Sequence, residues 1–279
     1  MSDIVIDAPV SATSVEAELN YLEFTGEKPV SYQYEPPPGV PKRSGVYRPH
    51  RVTVSNARVA PPPGALSLDG NGFELHLQAS GLRDFSDPAR IASVYYPESE
   101  QLLKQATGAR RVVVFDHTLR DGNTARAEGV REPVKYIHND QTFVSGPRRV
   151  RDHLPPGEAE QLLQGRVAIV NLWRPIGETV QSSPLALCDS RSIALNDLVA
   201  SDLVYPDKVG ETYALVFNPR HRWYFFPHMT PEEFLLLKIY DSAGDGIARL
   251  SAHTAFDDPM SPVDALPRRS IELRALLFF

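Results

Sequence analysis

From residue 111 onward the chain carries eight short apolar runs, at 111–115, 134–138, 166–173, 185–188, 212–217, 222–226, 234–240 and 270–279, separated by turn residues and not by helical periodicity. A parallel α/β sheet needs a crossover helix between most of its strands, and those helices are missing. The expected fold is therefore mainly β: a double sheet of the jelly-roll or cupin-like kind with a few peripheral helices. The 25 prolines and 17 glycines agree with many short elements joined by turns. Helix signals are confined to 97–108, with an early proline, acids in the first turn and a closing glycine, and to a shorter stretch at 158–164. Alternating segments at 51–58 and 73–78 flank turn residues at 61–64 and 69–72, and read as a hairpin-like pair ahead of the core. Residues 1–50 are poor in periodic apolar positions, and 34–41 reads as an extended, polyproline-like arm. The expected organisation is one domain over 1–279, with 1–50 as an N-terminal arm or lid and the jelly-roll core over about 95–279.

Charge and cysteine usage narrow the function classes. A net charge of -6 with no dense basic run argues against nucleic acid as a partner. No stretch approaches the roughly 18 apolar residues of a spanning helix, and the first residues lack a cationic start followed by an apolar block. The single cysteine, Cys188, excludes an internal disulfide and favours the cytoplasm. It sits in an apolar run, where a small buried hydrophobe is the expected role and not a nucleophile. The expectation is a soluble, cytoplasmic protein with no membrane or nucleic-acid partner.

The chemistry-bearing pattern begins where His138 and Asp140 end an apolar strand. Residues two apart on an extended chain share a face, so both side chains can reach one metal. With a second histidine elsewhere they make a two-His-one-carboxylate triad, which leaves three positions open on Fe(II). His253 is the expected third ligand. Arg268 and Ser270 follow, also two apart; a guanidinium fork beside a hydroxyl suits the distal carboxylate of a dicarboxylate cosubstrate. Arg274 shares their face and ranks second to Arg268, while Arg269 points away. Asn171 and Trp173 share a face where a strand runs into a loop, and are expected to flank the cosubstrate or substrate; the competing reading has Trp173 in the core and Arg174 as a surface ion pair. His117 and His221 are the rival ligands, and the remaining histidines are expected to be ordinary surface or core residues.

The order His-x-Asp, distant His, then Arg-x-Ser resembles the double-stranded β-helix Fe(II)/2-oxoglutarate oxygenases. More specifically, the segments at 114–120, 137–140, 171–176, 184–190, 221–227, 240–242, 252–259 and 268–274 are similar to the cephamycin C-7 hydroxylase and fungal hydroxylase/desaturase group. That resemblance implies Fe(II), 2-oxoglutarate and O2 as cofactor and cosubstrates. It also implies succinate and CO2 as coproducts, and hydroxylation, desaturation or cyclisation of a small specialised metabolite. Two other readings stay open at this level: a cupin-like metal enzyme that does not use 2-oxoglutarate, and a jelly-roll binding protein without catalysis. The arm at 34–41 and the loop at 121–129 are the expected lids.

Overall fold

A computed structural model describes residues 12–61, 66–123 and 130–279. In chain order its strands are β1 (Ser14–Glu23), β2 (Val30–Tyr32), β3 (Val46–Asn56), β4 (Phe73–Leu77), β5 (Arg111–Asp121), β6 (His138–Asn139) and β7 (Val167–Pro175), then β8 (Leu185–Cys188), β9 (Leu198–Val204), β10 (Val209–Leu215), β11 (Trp223–Phe225), β12 (Glu233–Asp241), β13 (His253–Ala255) and β14 (Arg269–Phe278). They form a nine-stranded sheet, β1-β3-β11-β8-β13-β6-β10-β9-β2, and a five-stranded sheet, β4-β12-β7-β14-β5. This is the expected jelly roll. Leu185 and Leu187 of the larger sheet interlock with Trp173, Leu235, Leu237 and Leu276 of the smaller, each such side chain contributing about 1.5–3 kcal/mol by leaving water.

The five-stranded sheet is buried on its outer face as well. A helical segment begins at α1 (Pro88–Arg90), capped by Asp87, passes through a wider π turn at Ile91–Tyr95, and continues as α2 (Tyr96–Thr107) to a left-handed Gly108. Its Ile91, Tyr95, Leu102 and Leu103 cover Val170, Leu172, Leu273 and Leu277. All nine residues of β7 are consequently buried, which is why its sequence is apolar but for Asn171 and Arg174. The helix expected at 158–164 is α4 (Pro156–Leu162), whereas α3 (Ser145–His153) had no periodic apolar signal to announce it. Its Gly146 lies so close to Tyr240 that an added Cβ would stand 2.5 Å from the ring.

Two expectations fail for topological reasons. The segments read as one hairpin are β3, in the nine-stranded sheet, and β4, in the five-stranded sheet. Residues 14–23, read as part of an arm, form β1, paired with β3 along its full length. The larger sheet curls until Leu22 bridges Val216 next to β10, and Leu19 and Tyr21 close a third core with Val54, Cys188, Leu215 and Trp223. The Pro-rich stretch at 34–41 is a loop whose ends meet, Tyr32 N donating to Lys42 O at 2.9 Å. What this region lends to the mouth of the barrel is Arg43 and Tyr47, packed on Tyr136 two residues before His138. Most of the loop expected as a second lid, 124–129, lies outside the described residues.

Candidate active site

The two sheets aim complementary side chains at one another. In the larger sheet β6 and β13 are neighbours, with His138 directly opposite His253; in the smaller, Arg274 of β14 is opposite Asn171 of β7. The ligand atoms of His138, Asp140 and His253 all lie within 4.8 Å of one another, with His138 Nε2 at 3.5 Å from Asp140 Oδ1. Each histidine's Nδ1 is engaged by a backbone carbonyl, Tyr136 O at 2.7 Å for His138 and Ser251 O at 3.2 Å for His253. An Nδ1–H donating there fixes the tautomer and leaves both Nε2 lone pairs for a cation.

Asp140 is held from the opposite sheet. Its Oδ2 accepts from Asn171 Nδ2 at 2.8 Å and from Arg274 Nε at 3.2 Å, leaving Oδ1 toward the histidines. Burial would raise this carboxyl, but Arg274 first, then the two histidines and the Asn171 bond, hold it well below the usual carboxylate range. It is a carboxylate throughout the physiological range. Glu272, two residues from both Ser270 and Arg274, completes the network. Its Oε1 accepts from Asn171 at 3.0 Å, its Oε2 from Arg274 at 2.8 Å, and it stands 3.9 Å from His253 Nε2. Arg274 also donates to Asp116 and Thr118, both at 3.0 Å. Asn171 and Arg274, expected beside a cosubstrate, thus spend their donors on carboxylates of the chain.

Arg268 and Ser270 are different. Arg268 is 3% exposed and Ser270 fully buried, yet Arg268 Nε and Ser270 Oγ find no hydrogen-bond partner among the described residues. The Arg268 side chain makes one hydrogen bond among the described residues, from Nη1 to Ser183 O at 2.6 Å, and lies over the Trp173 ring at 5.3 Å. Burial, reinforced by Arg120 and opposed by Glu272, pushes its guanidinium down to about 9. Arg268, Trp173, His138, His253, Glu272 and Arg120 line one cavity. A buried cation with no carboxylate in ion-pair contact among the described residues, next to a hydroxyl without a partner among them, fits a ligand that brings a carboxylate. Three histidine nitrogens or carboxylate oxygens converging on a point beside it fit a divalent metal.

Neither rival histidine belongs to the cluster of ligating groups found among the described residues. His221 uses both ring nitrogens, one with Tyr21 OH and one with Asp197 Oδ2, each at 3.1 Å. His117 bonds Tyr96 OH at 2.7 Å. Arg174 is not a surface ion pair: it is 1% exposed, bonded to the carbonyls of Gln78 and Pro231 and stacked on Phe234. Glu272 and Arg120 were given no role in the sequence, although Glu272 stands at the next same-face step after Ser270 and alternation alone points to it.

A jelly roll holding a two-His-one-carboxylate cluster beside a buried arginine defines the class of non-haem metal oxygenases. A family model described as an oxidoreductase/YMDC permease-like domain matches residues 19–278. No helix among the described residues is long and apolar enough to cross a membrane. The hydroxylase/desaturase efuI of Hormonema carpetanum is 31% identical, over 98% of this chain and 97% of its own length. The Fe(II)/2-oxoglutarate-dependent dioxygenase nvfI of Aspergillus novofumigatus is 31% identical, over 96% and 98%. The solved structure of the iron and alpha-ketoglutarate-dependent endoperoxidase NvfI superposes with a TM-score of 0.86 at 30% identity, covering 96% of this chain and 99% of that one. The chain belongs to the family of Fe(II)/2-oxoglutarate-dependent dioxygenases and hydroxylase/desaturases that act on small molecules of fungal secondary metabolism.

Proposed function

We propose that His138, Asp140 and His253 hold Fe(II) and that Arg268 and Ser270 grip the distal carboxylate of 2-oxoglutarate, in an enzyme that hydroxylates, desaturates or cyclises a small specialised metabolite. The observation that carries this reading is the pair of unpartnered buried donors, Arg268 Nε and Ser270 Oγ, in the cavity that the two histidines line. Fe(II) with 2-oxoglutarate and O2 supplies an oxidant able to break an unactivated C–H bond, giving succinate and CO2.

The chain's own part is placement. His138 and His253 present Nε2 because their Nδ1 atoms are tied to the backbone. Asn171 and Arg274 occupy Oδ2 of Asp140, which would leave Oδ1 to hold the metal with the two histidines. Trp173, 2% exposed, walls the cavity against water and stacks under Arg268. Tyr136, 37% exposed, stands at the rim with Tyr47 and Arg43, where a substrate with an apolar or aromatic face would enter.

Succinate release tests the reading. Turnover that requires both Fe(II) and 2-oxoglutarate supports it; metal-dependent turnover without 2-oxoglutarate would make Arg268 and Ser270 structural.

A further inference from the structure

We propose that Arg120 is a second cationic holder of the dicarboxylate cosubstrate, acting with Arg268 and Ser270; this deepens the reading above and rests on it. Arg120 lies on β5 directly opposite Ser270 of β14, and directly opposed residues of an antiparallel pair share a face at about 4.5–5.5 Å between their Cβ atoms. Its side chain is only 12% exposed, and it lines the same cavity as Arg268, His138 and His253.

Among the described residues, and apart from the half-exposed Asp116 that Arg274 also contacts, three guanidinium groups, Arg120, Arg268 and Arg274, meet two carboxylates, Asp140 and Glu272. Arg274 takes both of these at 3.2 and 2.8 Å, and Arg268 has neither. Arg120 reaches Glu272 Oε2 only at 3.4 Å, longer than the bonds that carboxylate accepts from Asn171 and Arg274, and otherwise donates to the Glu132 carbonyl at 3.0 Å. A desolvated excess of positive charge persists where a ligand brings the counter-charge. Arg120 and Arg268, flanking an unpartnered hydroxyl, offer more donors than one carboxylate bound by a single arginine uses. The geometry therefore selects a dicarboxylate over a 2-oxo acid with an uncharged tail.

The test compares the Fe(II)-loaded parent with R120A, R120M, R120K and R268A under anaerobic conditions. Each is titrated with 2-oxoglutarate and with 2-oxovalerate, which keeps the 2-oxo acid head but lacks the distal carboxylate. Binding is followed by the visible charge-transfer absorption of the complex, and bound iron is measured separately by chelation. R120A and R120M should bind 2-oxoglutarate about 10- to 100-fold more weakly, the range of a lost charge-assisted hydrogen bond. Their affinity for 2-oxovalerate should change by less than roughly 3-fold, with iron unaltered and R120K in between. Unchanged 2-oxoglutarate affinity in R120A and R120M beside a weakened R268A would overturn the role of Arg120 and leave the site reading intact. Unchanged affinity in R268A as well would sink the site reading itself. An equal loss of both 2-oxo acids together with iron would show that Arg120 only steadies Glu272, and would also overturn the proposal.

Discussion

Two buried histidine–carboxylate clusters stand in this barrel, and the use of their ring nitrogens sets them apart. In one, His221 spends Nδ1 and Nε2 on Tyr21 and Asp197, Tyr21 OH in turn accepts from Trp223 Nε1 at 2.7 Å, and Asp197 takes both contacts from Asn218 at 3.0 Å. Little is left over for a ligand. In the other, His138 and His253 each spend one nitrogen on a backbone carbonyl and turn the second toward Asp140. The residue types are much alike. What differs is valence left open, and an open donor or acceptor in a desolvated place is costly unless a ligand closes it. The first cluster is mortar for the third core; the second is a binding site.

The largest effects should follow that division. His138→Ala, Asp140→Ala and His253→Ala should each abolish iron binding and turnover. The two histidine variants should change the melting temperature little, since no partner side chain is hydrogen-bonded to their Nε2 atoms, whereas Asp140→Ala also strands the donors of Asn171 and Arg274 and should lower it. His221→Ala should do the reverse of the two histidine variants. It strands Tyr21 and Asp197, at about 1–3 kcal/mol for each orphaned group, which for a chain of this size is on the order of 5–10 °C in melting temperature, with iron stoichiometry intact. Metal analysis beside a thermal melt reads both, and loss of iron in His221→Ala would break the comparison.

Next in size are the residues that hold ligands or ligand holders. Arg268→Ala should raise the 2-oxoglutarate requirement by about 100-fold or more, because a carboxylate left without its cation in a desolvated pocket forfeits several kcal/mol; Ser270→Ala should cost less. Asn171→Ala and Arg274→Ala should act first on iron, weakening it by roughly 10- to 100-fold through loss of the grip on Asp140. Titrating iron and 2-oxoglutarate separately for all four separates the two groups. A variant of Arg274 that loses 2-oxoglutarate affinity and keeps iron would move it into the cosubstrate pocket.

The parts legible in the sequence were those with a local period. The strand set, the same-face pairs His138/Asp140 and Arg268/Ser270, and the outward Arg269 all follow from alternation. The role of the N-terminus was hidden because β1 is a strand at the end of a curled sheet: its apolar partners, Leu215 and Trp223, are some 200 residues away, and nothing local says that Leu19 and Tyr21 will meet them. The split of 51–58 and 73–78 between sheets is likewise a long-range fact. The bonds of Asn171 to Asp140 and Glu272 were not foreseen, because alternation gives the side of a strand and not what crosses from the opposite sheet. The uses of Arg120 and Glu272 depend on the register of β5 against β14, which a single sequence does not carry.

A smaller effect concerns pH. Burial, with His253 adding repulsion, pushes His138 from 6.5 down to about 4. Between those values the unfolded chain binds a proton that the folded, metal-free chain does not. Stability of the metal-free protein should therefore fall as pH drops from about 6.5 toward about 4, and this group should contribute no slope above that window. One proton limits the slope to about 1.4 kcal/mol per pH unit. Denaturant midpoints at pH 7.5 and 5.0 should converge in metal-free His138→Gln relative to the parent; an unaltered gap would mean that the acid sensitivity arises elsewhere, His221 being the next candidate because burial lowers it too.

The smallest effect is expected at Cys188, which lies on the boundary between the two clusters. It belongs to β8, where Leu187 faces the inner core and is paired with His253, so by alternation Cys188 faces the other way, into the closed core with Trp223. Its thiol is fully buried, and burial, aided by the charge of Asp189, pushes it up to about 12. A thiol that is neither exposed nor ionised near neutral pH is not a nucleophile. A disulfide reagent should leave the native protein unmodified and titrate one thiol after denaturation, and Cys188→Ala should retain full turnover with a stability cost of about 1 kcal/mol. Labelling of the native protein at a rate comparable to the unfolded chain would show that this core opens under native conditions, and with it that the cluster around His221 is less closed than its hydrogen bonds indicate.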